Sequence, residues 1–263
     1  GHDGIGPEAA RERLQALLAE PGGGGRPVAE PREAQLAYID GVTEAFQAVD
    51  PEAGPAMVLA EAGTGVGKTL GYLAPATVWA EHNAAPVWVS TFTRNLQHQI
   101  DAELDRRYPA PEVKRDRVVV RKGRENYLCL LNLEQAQAAA RTGGHGAIAA
   151  GLMTRWAGAT REGDLQGGDF PGWLGELMGH GPTRGLSDRR GECIYSACPH
   201  YERCFIEANQ RRARRAEIVV ANHALVMINA ALATMSLPGA PDASPAEPDA
   251  AGAPDIDGTA VGD

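Results

Sequence analysis

The chain has 263 residues, enough for one large domain or two small ones with a real core. Its 43% hydrophobic content fits a globular protein, and no apolar run reaches the roughly 18–20 residues that span a membrane. The net charge of −9 argues against nucleic acid on the mean, but six of the acids lie in 237–263, which holds no Lys or Arg. Against that mean stand two basic clusters. Arg106 to Arg124 has eight basic residues to two acidic, and Arg211-Arg212-Ala213-Arg214-Arg215 follows later; solvated surface explains either cluster alone equally well. The start, Gly1-His2-Asp3-Gly4, carries no secretory signal, so a cytoplasmic chain and a piece of a longer protein are expected.

In chain order, Pro7 to Glu20 reads as an amphipathic helix with Leu14, Leu17 and Leu18 on one side. Pro21 to Pro27, mostly glycine, breaks it as a flexible joint. Pro31 opens a second helix, with Leu36, Ile39, Val42 and Phe46 at helical spacing. The apolar run 56–60 reads as a strand, and Leu70 to Ala74 as the helix after it. Further strands are expected at Pro86–Thr91, Arg117–Arg124 and Glu217–Ala221, with helices after Thr93, from Leu130 to Arg141, and from Asn222. Thr142 to Gly185 is glycine-rich, with Trp156, Phe170 and Trp173 as its few anchors. From Leu237 onward Pro, Ala, Asp and Gly dominate, too little apolar mass to stay folded.

Between strand and helix lies Ala62-Gly63-Thr64-Gly65-Val66-Gly67-Lys68-Thr69, the pattern of a phosphate-binding P-loop with Ala62 at its first position. Glycines let backbone N–H groups approach phosphate oxygens, and the next helix points its positive end at the same anion. Lys68 supplies charge to the β- and γ-phosphates, and the Thr69 hydroxyl is a ligand for Mg²⁺. Gln35 both donates and accepts, as reading an adenine edge requires, although a surface Gln is the commoner case. Ser90-Thr91-Phe92-Thr93-Arg94-Asn95 ends a strand, where open α/β sheets bind ligands and where such groups hold a nucleic-acid backbone.

All four cysteines, Cys129, Cys193, Cys198 and Cys204, stand outside any secretory context, which disfavours disulfides. Their spacing favours a metal site over free buried thiols, and leaves zinc and iron–sulfur both open. His200 and His223 are nearby alternative ligands.

These motifs, in this order, resemble the XPD/DinG-like iron–sulfur helicases of superfamily 2, nearest the bacterial DinG type. The resemblance runs from about Pro31 to Met227. It rests on Arg32 and Gln35 before the P-loop, on the loop itself, and on Ser90 to Gln97. Lys122-Gly123-Arg124-Glu125-Asn126-Tyr127-Leu128-Cys129, the three later cysteines and Ala221 to Leu225 complete it. It implies an α/β fold: a P-loop NTPase (RecA-like) parallel sheet with an inserted, mostly helical iron–sulfur cluster domain. The implied division is an N-terminal helix and linker (1–30), motor domain 1 (31–122), the cluster domain (123–210), a return to motor domain 1 (211–236) and a disordered acidic tail (237–263). It further implies ATP and Mg²⁺ held by Arg32, Gln35 and Ala62 to Thr69, with Lys68 and Thr69 catalytic. A [4Fe–4S] cluster would sit on Cys129, Cys193, Cys198 and Cys204. The expected partner is single-stranded or forked DNA, with 5′ to 3′ movement, a monomeric state and a role in DNA repair.

One departure is large. The family's Asp-Glu-x-His box, whose Asp holds Mg²⁺ and whose Glu activates water, is absent between Ala221 and Asp263, and no second motor domain follows. The chain therefore reads as the N-terminal part of such a helicase, binding nucleotide and cluster without unwinding DNA. The rival is a zinc-stabilised nucleic-acid-binding module with a vestigial motor. A small-molecule kinase would leave the four cysteines unexplained.

Overall fold

Three short parallel strands carry the architecture: β1 (Val87–Thr91), β2 (Val118–Arg121) and β3 (Ile218–Asn222), in the order β1-β3-β2. This computed structural model describes residues 2–19, 31–48, 56–141, 143, 145–178, 184–189 and 192–235. The fold is α/β and mostly helical, with α1 (Pro7–Ala19), α2 (Glu33–Thr43), α3 (Lys68–Asn83), α4 (Arg94–Arg107) and α5 (Pro111–Arg117) before or between the first strands. After β2 come α6 (Leu130–Ala140), α7 (His145–Ala157), α8 (Gly172–Met178) and α9 (Phe205–Ala213); α10 (His223–Met235) follows β3. The expected joint at 21–27 and acidic tail at 237–263 lie outside the described residues.

β3 is the central strand because its first four residues, Ile218 to Ala221, are apolar and fully buried. Side-chain alternation sorts the sheet's two faces. Ile218, Val220 and Val118 pack with Leu73 of α3 and Ile100 and Leu104 of α4. Val219 and Val119 pack on the other side with Ala213 and Ala216. The register sets Thr91 beside Asn222 and Arg121 beside Ala221, so all three strands end along one edge.

The chain leaves the sheet at the end of β2 and returns at β3, immediately alongside. The excursion builds a second core from Leu128, Leu133, Met153, Trp156, Leu165, Leu174 and Leu186. Trp156 and Phe170 meet edge to face at 4.9 Å, as anchors should. Trp173 does not anchor: it is 61% exposed. A third core joins Leu14 and Leu17 of α1 to Ile39 of α2 and Leu70 and Ala74 of α3.

The strand expected at 56–60 does not form; the run is unpaired, with Met57 94% and Leu59 99% exposed. Apolarity can call for burial, but a strand also needs a hydrogen-bonding neighbour. The chain divides into two units, Gly1–Val226 and Met227–Asp263; of the second only the helical residues 227–235 are described. Among the described residues no helix is long and apolar enough to cross a membrane.

Candidate functional site

The glycine-rich loop ends where α3 begins. Gly65 and Gly67 take φ of 80° and 86°, a left-handed region that side chains disfavour. Gly67 is the residue just before the helix, and its carbonyl accepts a bond from the buried Gln35 amide at 3.3 Å. A methyl on Gly67 would come within 2.5 Å of Gln35 Nε2, so a side chain here is strained by the backbone angle and must also push the Gln35 amide aside. Arg32 Nη1 reaches the Gly65 carbonyl at 3.5 Å, a long contact. Thus Arg32 and Gln35 brace the loop from the start of α2. Lys68 Nζ donates to the Ala62 and Gly63 carbonyls, both at 2.9 Å, folding the ammonium over the loop. The Thr69 hydroxyl bonds to Tyr72, whose own phenol is pushed up chiefly by burial. Thr64 is exposed and Val66 half-buried.

The four cysteines line one small cleft of about 40 Å³, together with Arg124, Asp188 and His200. None of the loop residues lines it, so the two places are separate. Cys129 precedes α6, and its N–H donates to the Leu186 carbonyl at 2.8 Å. Burial pushes the Cys129 thiol up, with the Asn132 and Leu131 N–H groups opposing it. Cys193, Cys198 and Cys204 are spaced by two 3₁₀ turns, 195–197 and 201–203. Tyr195 takes φ of 47°, which turns its N–H onto Cys193 Sγ at 3.4 Å. Among the described residues no three His, Cys, Asp or Glu side chains gather tightly enough to hold a single metal ion. Of the alternative ligands, His200 lines the cleft and bonds Glu134 at 2.8 Å. His223 sits instead at the end of β3, its Nδ1 2.5 Å from Ser90 Oγ.

Four of the basic residues near β2 have carboxylate partners. Lys122 pairs with Asp164, and Arg124 with Asp188 at 2.5 Å. Arg117 pairs with the buried Glu217, and Lys114 with both Asp101 and Asp105. Arg212 of the second cluster donates to the Arg115 carbonyl, joining the two basic clusters. A larger open cleft of about 630 Å³ lies between α4, α5 and residues 161–169, with acids and bases interleaved on its walls. Of the positive strand end expected beside Cys129, Lys122 and Arg124 are paired with two aspartates that no sequence signal singled out, while Arg121 lies over the Trp88 ring.

No family model matches the chain. Among curated proteins it is 31% identical over 207 residues to the ATP-dependent DNA helicase YoaA of Haemophilus influenzae, covering 77% of this chain and 29% of that protein. It is 33% identical over 226 residues to the ATP-dependent helicase DinG of Mycobacterium tuberculosis, covering 79% and 32%. To the 3′-5′ exonuclease DinG of Bacillus subtilis it is 27% identical over 202 residues, covering 75% and 20%. The chain spans a third or less of the length of these relatives.

Proposed function

We propose that this chain, a relative of the DinG-type helicases, is the N-terminal, nucleotide- and cluster-holding part of an ATP-dependent DNA helicase. The observation that carries this is similarity to proteins named as such over three quarters of the chain, at about 30% identity. In this reading residues 31–122 and 211–236 form a P-loop NTPase motor domain, and 123–210 the inserted iron–sulfur domain, with a helix and linker before them and an acidic tail after. The expected setting is a cytoplasmic monomer acting on single-stranded or forked DNA, with 5′ to 3′ movement in DNA repair.

Ala62 to Thr69 would cradle the phosphates of ATP. The backbone N–H groups at Gly65 and Gly67 and the start of α3 supply the anion site. Lys68, which here bonds two loop carbonyls, would exchange them for phosphate oxygens. Thr69 would turn from Tyr72 to Mg²⁺. Gln35 and Arg32 would keep the loop's shape while nucleotide comes and goes. Water activation needs an acidic residue such as the family's Asp-Glu-x-His box, which this sequence lacks, so the chain alone would bind without unwinding.

The cysteine cleft would hold the [4Fe–4S] cluster that the resemblance to the helicases implies, with zinc as its rival. One zinc draws four thiolates to about 2.3 Å from a single point. The four cysteines line one cleft, and among the described residues no three His, Cys, Asp or Glu side chains form a single-ion site. When bound, the cluster would supply a covalent tie between Cys129 and the 193–204 turns. Anaerobically purified protein is expected to hold iron and inorganic sulfide in equal amounts and to bind a fluorescent ATP analogue that Lys68→Ala holds at least about tenfold more weakly. Colourless protein carrying one zinc would overturn the cluster. Equal analogue affinity in the variant would overturn the P-loop.

A further inference from the structure

A single exposed apolar side chain is ordinary on a protein surface. Phe92 differs because it is 83% exposed yet fixed on both sides. Before it, Thr91 is buried, and its hydroxyl donates to the Ala221 carbonyl at 3.4 Å. After it, Thr93 caps α4 by accepting the Leu96 N–H at 3.2 Å. The ring is therefore held in solvent by the sheet on one side and a helix start on the other. Across the strand ends stands the exposed His223 ring, its centroid 6.1 Å from that of Phe92 at a tilt of 36°. Ser90 fixes that imidazole. Two anchored rings thus stand at the C-terminal ends of β1 and β3, among exposed polar groups and at the edge where parallel sheets take ligands.

We propose that Phe92, with His223 beside it, is a stacking platform for one unpaired nucleobase of a single-stranded nucleic acid. This rests on the nucleic-acid reading above and adds how the strand is gripped. A sequence-tolerant site needs a flat apolar face, since every base has one, together with polar groups for the backbone. The charge distribution favours stacking over phosphate attraction here, because Lys122 and Arg124, which follow this end of β2, already have carboxylate partners. Binding at this edge should therefore depend on the base more than on salt.

The test uses the whole chain, a labelled oligothymidylate, and an oligonucleotide of the same length with abasic sugars, followed by fluorescence anisotropy. Removing one stacked base or its platform is expected to weaken binding by about 5- to 150-fold. The unmodified protein should therefore prefer the thymidylate by that factor, Phe92→Ala should lose the preference, and Phe92→Trp should keep it. Raising salt from about 50 to 200 mM should weaken the unmodified protein by less than about tenfold, against the roughly 10³-fold or more of a binder with many phosphate contacts. The fluorescent ATP analogue should bind Phe92→Ala as it binds the unmodified protein, which separates a lost platform from a misfolded chain. Equal affinity for both oligonucleotides, or thymidylate binding unchanged in Phe92→Ala, would overturn the platform while leaving the nucleic-acid reading in place. No binding to either oligonucleotide by the unmodified protein would overturn that reading and the platform with it.

Discussion

Gly67 concentrates three demands on one residue. It takes φ of 86°, its carbonyl receives the Gln35 amide, and it sits immediately before α3 where an anion would meet the helix end. Holding a non-glycine residue in the left-handed region costs about 1–3 kcal/mol. The added methyl must also displace Gln35 Nε2. Gly67→Ala is therefore expected to lower unfolding free energy by about that range and to weaken the ATP analogue on the order of tenfold. Denaturant titration and analogue binding measure the two effects. Adding Gln35→Ala should relieve the steric part and leave the backbone part, so the double variant should be less destabilised than the two losses added together. Ala62 makes the opposite point: at the other end of the loop a small residue suffices.

The segment after β2 is held by its neighbours on both flanks. Leu128 N–H donates to the Gly163 carbonyl and Cys129 N–H to the Leu186 carbonyl, both at 2.8 Å. Around them, Lys122 pairs with Asp164 and Arg124 with Asp188. Asp188 is 4% exposed on its side chain, while Arg124 keeps 33% and has a buried Nη2 without a partner. Breaking a buried pair by removing one member costs about 3–5 kcal/mol; the exposure of Arg124 puts Asp188→Ala at or below the lower end. Thermal unfolding of Asp188→Ala, Arg124→Ala and the double variant measures it, the double expected to lose less than the sum. These aspartates show where sequence reading stops. The strands at 87–91, 118–121 and 218–222 were legible because each is an apolar run with a clear end. The loop was legible because glycine, lysine and threonine occur at fixed offsets. The pairing of Lys122 with Asp164 joins residues 42 positions apart, and nothing local marks it. The same holds for 56–60, where the residues signal burial but not the neighbour that would provide it.

Two cores meet at one helix. The sheet core and the excursion's core draw on different stretches of chain, and α9 reaches from one to the other. Phe205, at its start, packs against the core of Leu128, Met153 and Leu165, crowding Gly163. Ala213, at its end, packs with Val119 and Val219. Nine helical residues span about 13 Å, so each end answers to a different core. Cys204, which lines the cysteine cleft, immediately precedes Phe205 at the start of this strut. If a cluster ties Cys204 to Cys129, then losing that tie should loosen the Phe205 end and leave the Ala213 end in place. Cys204→Ser is therefore expected to raise amide exchange at Leu128, Cys129 and Leu165 while leaving Ile218 to Val220 protected, because local opening need not involve the whole molecule. Hydrogen exchange with peptide resolution reads both places in one experiment. Equal loss of protection in β3 would mean that the two cores open as a single cooperative unit and that α9 couples rather than separates them.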